Sequence, residues 1–457
     1  MRPTRIAVAF ALTTGIAPAM AQSTNWAASW TTAIQAAYVA PTTPQGPAVP
    51  AYDPQPDLSF ALPNATASGA TDQTFRLIVK PDLWGDTVRI RLSNTFGTQT
   101  VTFGAVSIAL QNYQANIVAG TSTRVTFKGG ASSVRVPAGK EVFSDPVSLA
   151  FVDQLGVAGM AGRNLAVSVA VTGASGPASY HADAFVTSYI SPPNSGDQTQ
   201  AADDTAYPYS TTSVFFLSEL DVQAPPGTAV IVAFGDSITD GTFSTLNGYD
   251  RWSNVMSRKL HEVLGNHVSV VNEAIAGNAV AGTLAGESAV ERLNRDVINL
   301  SGVSGVVWLE GINDLGGLQS TPAPVIAGYQ DVIRRLHAHN VAVIGATVTS
   351  SYPPNGQVPA NSPLAAAAGP AFAASYGSAQ TNGYRQQLNT FILTKGHYDA
   401  TADFAAATTD PATGSLYPAF VPNSEGSAGD YLHPNRAGYQ VMGEVAAEAV
   451  LSLFSNH

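Results

Sequence analysis

The chain has 457 residues, with 21 Lys and Arg against 32 Asp and Glu, a formal charge of −11, and only 12% charged residues. An acidic chain without clustered Lys and Arg suits neither nucleic acid nor an anionic membrane surface, so neither partner is expected. With no cysteine, disulfides, thiol chemistry and Cys-zinc sites are excluded, and a chain this long should divide into two domains held by their own cores.

Arg2 and Arg5 precede an apolar run from Ile6 to Ile16, and Ala19-Met20-Ala21 stands before Gln22. That is the pattern of an export signal over residues 1–21. The run is shorter than the roughly 20 residues a membrane helix needs. The expected product is secreted or periplasmic, without stable membrane insertion. Loss of Arg2 and Arg5 and of no acid would move its formal charge from −11 to −13.

Residues 22–224 read as an all-β sandwich domain. Short alternating runs recur at Phe75 to Val79, Thr87 to Leu92, Val101 to Leu110, Thr123 to Phe127, Val142 to Leu149 and Leu165 to Val171. Turn clusters such as Lys128-Gly129-Gly130 and Pro137-Ala138-Gly139 punctuate them, and period two at this spacing predicts packed antiparallel sheets. Pro41 to Ser68, rich in Pro, Ala and Thr, reads as a long surface loop. Val222 to Gly227, with Pro225-Pro226, reads as the linker.

Residues 228–457 change character to alternating strand and helix. Candidate strands are Ala229 to Phe234, Val268 to Ala274, Gly305 to Leu309, Val341 to Val348 and Ala400 to Phe404. Trp252, Val255, Met256, Leu260, Val263 and Leu264 fall on one face of a helix, as do Val325, Ile326, Tyr329, Ile333 and Leu336. A last helix is predicted to start at Pro434, well placed at N1, and to run to about Phe454. Such βα units predict a doubly wound parallel sheet with the first strand central. Ser350 to Gln380 reads as a long insert without regular structure, either a wall or lid over a site or a disordered excursion.

Three polar clusters sit where ligands collect on such a sheet, outside the carboxyl ends of its strands. Gly235-Asp236-Ser237 closes the first apolar run and offers a hydroxyl nucleophile. His433 lies three residues after Asp430, on a turn entering the last helix, close enough for the carboxylate to fix its tautomer. Asn313, in Gly311-Ile312-Asn313-Asp314, supplies a side-chain amide, and Gly277 a bare backbone N–H. With the Ser237 N–H they give three donors suited to an oxyanion. The structural alternatives are an ordinary strand-to-loop turn at Ser237, a helix N-cap at Asn313 or Asp314, and a plain turn glycine at Gly277. Other chemistries lack their motifs: no G-x-S-x-G elbow is present, and Gly265 stands where His261-Glu262 would need a second zinc-binding histidine. Arg251 reads as structural or substrate-adjacent.

At these residues the chain resembles the SGNH (GDSL-type) hydrolase family. "FGDSITDG" is similar to its first block, "NEAIAGN" to its second, "LEGIND" to its third and "DYLHPNRAGY" to its fifth, over residues 228 to 455. The resemblance implies a three-layer α/β/α flavodoxin-like catalytic domain with no metal or cofactor required. It also implies Ser237 as nucleophile, His433 as base, Asp430 as its partner, and Gly277 and Asn313 as oxyanion donors. "NWAASWTTA" and "DTVRIRLSNTFG" resemble an exported subgroup that carries a β-sandwich ahead of the hydrolase.

The expected activity is a serine esterase acting through an acyl-enzyme on short acyl or acetyl esters, on polysaccharide or aryl groups. A lipase or phospholipase for longer chains is the alternative within that class. Outside it stands a glycan-binding protein whose sandwich uses Trp26, Trp30 or Trp84 for stacking and whose α/β half is inert. The sequence carries no signal of oligomeric state.

Overall fold

The computed structural model describes residues 25–37, 69–422 and 429–454. The export signal of residues 1–21 and the expected loop from Pro41 to Ser68 lie outside the described residues.

Antiparallel sheets occupy the N-terminal half. One orders Asn25–Thr31, Leu217–Ala224, Thr87–Asn94 and Lys140–Phe143, with Val147–Ser148 also pairing with Thr87–Asn94. A larger one is centred on Thr71–Val79, Leu165–Ala174 and Val101–Leu110. Val88, Ile90, Leu92 and Leu220 from the first sheet share a buried core with Phe75, Leu77, Phe103, Val167 and Val169 from the second, as alternation along each strand requires. Arg76 takes an outward position in that pattern yet is fully buried. Its guanidinium donates to Ser168 Oγ and to the carbonyls of Ala115 and Ala201, because neighbouring segments roof that face.

Two expected strands are shorter than the pattern suggests. The run from Val142 to Leu149 is split in two at Ser144-Asp145-Pro146. Asp145 turns its carboxylate to the amides of Gly129 and Gly130 and to Thr126, and Pro146 has no N–H for a ladder. The run from Thr123 to Phe127 keeps only Thr123–Arg124 as strand. The expected linker is shorter as well, because Val222 and Ala224 still pair with Ala27 and Asn25.

The strand Asn25–Thr31 joins the halves. Its Ala27 and Ala28 belong to the core of the C-terminal half. Ala28 N–H donates to the Ser301 carbonyl at 2.9 Å, and its carbonyl accepts from Ser269 Oγ at 2.7 Å.

The C-terminal half is built on a five-stranded parallel sheet ordered Val268–Ala274, Ala229–Gly235, Val303–Leu309, Ala342–Ala346, Ala400–Ala402. The first strand is interior but second from the edge rather than central. Helices Trp252–Leu264 and Arg436–Phe454 pack together in one layer, Pro322–Ala338 and Ala379–Thr394 in the other. This is a doubly wound α/β/α fold preceded by antiparallel β-sheets. Val263, placed on the buried face by periodicity, is 64% exposed; the helix's last turn extends past Leu260, where its full burial ends. The segment from Ser350 to Gln380 is not without structure, since it carries helices Pro363–Ala368 and Pro370–Tyr376. Ser362 caps the first by accepting from Ala365 N–H, and Pro at N1 suits both.

Candidate active site

The register of the parallel sheet sets the site. Gly235 pairs with Ala274 on one side and with Leu309 on the other, so three chain segments leave the sheet at one level, about 5 Å apart. A Cβ on Gly235 would lie 2.2 Å from the Leu309 carbonyl oxygen, and only glycine permits that approach. Asp236 then caps a single helical turn, Ser237–Asp240, by accepting from Ile238 N–H at 3.0 Å. Ser237 stands at the head of that turn, 8% exposed.

The structure brings Ser237, His433 and Asp430 into one hydrogen-bonded row. Ser237 Oγ lies 2.7 Å from His433 Nε2, and His433 Nδ1 lies 2.6 Å from Asp430 Oδ2. The other Asp430 oxygen accepts the backbone amides of Leu432 and His433, both at 3.0 Å, which fixes the carboxylate. A left-handed backbone at Tyr431, φ 59°, makes the turn tight. An ionised carboxylate only accepts, so Nδ1 carries the ring proton and Nε2 can receive the serine hydroxyl. The Phe243 ring stands edge-on to the imidazole at 5.9 Å. The last helix begins at Arg436, two residues later than expected. Asn435 Oδ1 accepts the amides of Ala437 and Gly438, which makes Asn435 the cap and leaves Pro434 outside.

Asn313 is buried at the end of the third strand. Its amide nitrogen donates to the Asn278 carbonyl at 2.8 Å and keeps a second N–H. Its carbonyl oxygen accepts from Tyr376 OH at 2.7 Å, so the hydroxyl dictates which end of the amide is the donor. Asp314 does not cap a helix. Its two oxygens accept the amides of Val280 and Ala281 and so hold the loop after the second strand. Gly277 in that loop has φ 78°, a left-handed conformation that favours glycine.

Beneath the Ser237 turn lies a buried charge network that sequence reasoning missed. Arg292 donates to the carbonyls of Gly235 (2.9 Å) and Glu273 (2.6 Å), and to Asn278 Oδ1 (2.8 Å). One side chain therefore ties the strand Ala229–Gly235 to the loop that holds Gly277 and Asn278. Burial, then the charge of Glu310, pushes the Asp236 carboxyl well above the usual range. Burial raises Glu310 to about 7, against the pull of Arg292 and the Trp308 N–H. In sequence Arg292 is an ordinary helical cation and Tyr376 one aromatic in an Ala-rich insert; neither carries a signal. Arg251 is structural: it donates to the Ala184 carbonyl and lies over the Phe185 ring.

The model of the GDSL-like lipase/acylhydrolase family matches residues 233–441. No curated protein matches the chain. Among solved structures the chain is similar to an acetylxylan esterase from Geobacillus stearothermophilus, at 20% identity and TM-score 0.34, over 49% of this chain and 94% of that one. It is similar also to the aryl esterase of M. smegmatis, at 16% identity and TM-score 0.35, over 49% of this chain and 99% of that one. A carbohydrate acetylesterase from Sinorhizobium meliloti gives 15% identity and TM-score 0.34, over 49% and 99%. With the family's model running from the first parallel strand into the last helix, residues 233–441 form a GDSL-like lipase/acylhydrolase domain, and the chain is a carboxylic ester hydrolase.

Proposed function

We propose that Ser237 attacks the ester carbonyl while His433 Nε2 takes its proton, and that Asp430 stabilises the imidazolium that results. The imidazolium then protonates the leaving alcohol, and water attacks the acyl-enzyme by the reverse proton path. The Ser237 and Gly277 backbone N–H groups and the free N–H of Asn313 bind the oxyanion. The observation that carries this reading is the row from Ser237 Oγ through both ring nitrogens to Asp430 Oδ2, with steps of 2.7 and 2.6 Å.

The substrate class we infer is a short acyl ester. Ser237 is more than nine-tenths covered, and aromatic side chains stand against its partners, Phe243 at His433 and Tyr376 at Asn313. The basic n-region, apolar run and small-residue cleavage pattern of residues 1–21 support action outside the cytoplasm. A chain-length series of nitrophenyl esters, run on the wild type and on Ser237→Ala, tests both parts. The wild type should show its highest kcat/KM on acetyl to butyryl esters, and the variant should lose at least about 10⁴-fold in kcat. A maximum on long acyl chains would replace the short-acyl reading with a lipase. Wild-type turnover by the variant would remove Ser237 as nucleophile.

A further inference from the structure

A cavity of about 780 Å³ lies between the two halves of the molecule, lined by Trp30 and Trp84 from the antiparallel half and by Asp240 and Asn254 from the parallel half. Ser237 is not part of its wall. The size falls in the range of small-molecule sites, which collect at domain interfaces and combine apolar surface with a few fixed polar groups. We propose that this cavity binds a neutral saccharide, at a place separate from the ester-cleaving residues.

The aromatic walls are one part of the argument. Trp30 and Trp84 are each half-buried, which leaves part of each indole to the cavity. Trp26 is not equivalent, because the Arg89 guanidinium covers its ring at 4.5 Å. An indole presents a flat apolar surface with a polar tip, and the C–H face of a pyranose is its complement in shape and polarity.

Charge narrows the ligand further. Three cations in the wall, Lys80, Arg251 and Arg258, equal in number three carboxylates, Asp82, Asp240 and Glu262, of which the first two are held by the wall's histidines, His261 and His181. The cations are engaged: Lys80 lies over the Tyr249 ring at 4.1 Å, Arg258 donates to the Tyr249 carbonyl, and Arg251 donates to the Ala184 carbonyl. Asp82 is taken by His261 and by the Val270 amide. A wall with equal numbers of cations and carboxylates, its cations already engaged, has no strong pull on either an anion or a cation.

Two acceptors remain. Asp240 Oδ2 and Asn254 Oδ1 are buried and have no hydrogen-bond partner, although the other Asp240 oxygen is held by His181 Nε2 at 3.2 Å. Buried acceptors call for donors. Hydroxyls supply them without charge, and a ligand that carries several hydroxyls beside an apolar face suits the indoles on one wall and the polar side chains on the other.

The proposal does not depend on ester cleavage, so binding and turnover are read separately. Calorimetric titration of the full chain, in a Ser237→Ala background that prevents turnover, uses xylotriose and cellotriose as neutral probes and trigalacturonate as the anionic one. At least one neutral trisaccharide should bind with a dissociation constant of about 1 mM or tighter. Trp84→Ala and Asn254→Leu, one change on each wall, should each weaken that binding by about tenfold or more. An unchanged thermal midpoint identifies a folded variant, and if one substitution unfolds the chain the other decides. Absence of binding by both neutral probes, undiminished affinity in a folded variant, or tighter binding of trigalacturonate would overturn the proposal.

Discussion

His433 meets Ser237 across 196 residues of sequence because two short side chains, Asp236 and Asp430, fold the backbone around themselves. The same economy holds at Asn313, whose donor end is chosen by the Tyr376 hydroxyl. Tyr376→Phe removes that acceptor's partner while the ring keeps its packing against Gly316 and Gly317. It should lower kcat by about tenfold, less than the 10²–10³ expected for removing an oxyanion donor outright, and leave KM nearly unchanged. Steady-state kinetics on nitrophenyl acetate measure both; a rise in KM at constant kcat would assign Tyr376 to substrate binding instead. The hydrogen-bonded row of Ser237, His433 and Asp430 joins residues that each sit in a short local pattern whose geometry follows from neighbouring residues, which is why sequence singles them out. Tyr376 and Arg292 are not singled out, since each acts through partners 63 and 14 residues away, respectively, and nothing in their own surroundings marks them.

Among elements, the parallel strands and their helices were the most legible, being continuous apolar runs and 3.6-residue periods. The structure departs from the pattern where a side chain overrules it: Asp145 breaks a strand and Asn435 moves a helix start. The insert between the fourth strand and its helix escapes the pattern for another reason: a run of alanines has no amphipathic period to detect, though its helix propensity is high. Packing adds a constraint that pattern reading misses. The helices Trp252–Leu264 and Arg436–Phe454 approach so closely at Gly443 that an added Cβ would lie 2.4 Å from Val255 Cβ and 2.6 Å from the Trp252 carbonyl oxygen. Gly443→Ala should force them apart and destabilise the fold by about 1–3 kcal/mol. Urea unfolding checks this, and an unchanged midpoint would show that the helix pair tolerates the extra atom.

At the scale of the molecule, two features were beyond the sequence: that the strand Asn25–Thr31 serves both halves, and that acids are buried beneath the Ser237 turn. The second has a pH signature. Glu310 titrates from an ordinary 4.5 when exposed to about 7 when folded, because burial disfavours its charged form. Between those values the native state holds a proton that the unfolded chain has released, so stability is full below about 4.5 and declines as pH rises through 7. Asp236 and Glu273, both raised chiefly by burial, act in the same direction. The thermal midpoint should therefore fall by about 2–5 °C between about pH 5 and pH 8, and Glu310→Gln should flatten that slope. A midpoint that rises over this interval would mean these acids are ionised in the folded chain.

Ester cleavage by this mechanism requires one serine hydroxyl to be the reacting group. The most direct measurement is the mass of the intact protein, and of its peptides, after reaction with a fluorophosphonate. The expected result is a single adduct on Ser237 with activity lost in proportion, and no adduct when His433→Ala is treated under the same conditions. A label on another residue, or full inactivation with Ser237 unmodified, would contradict the account.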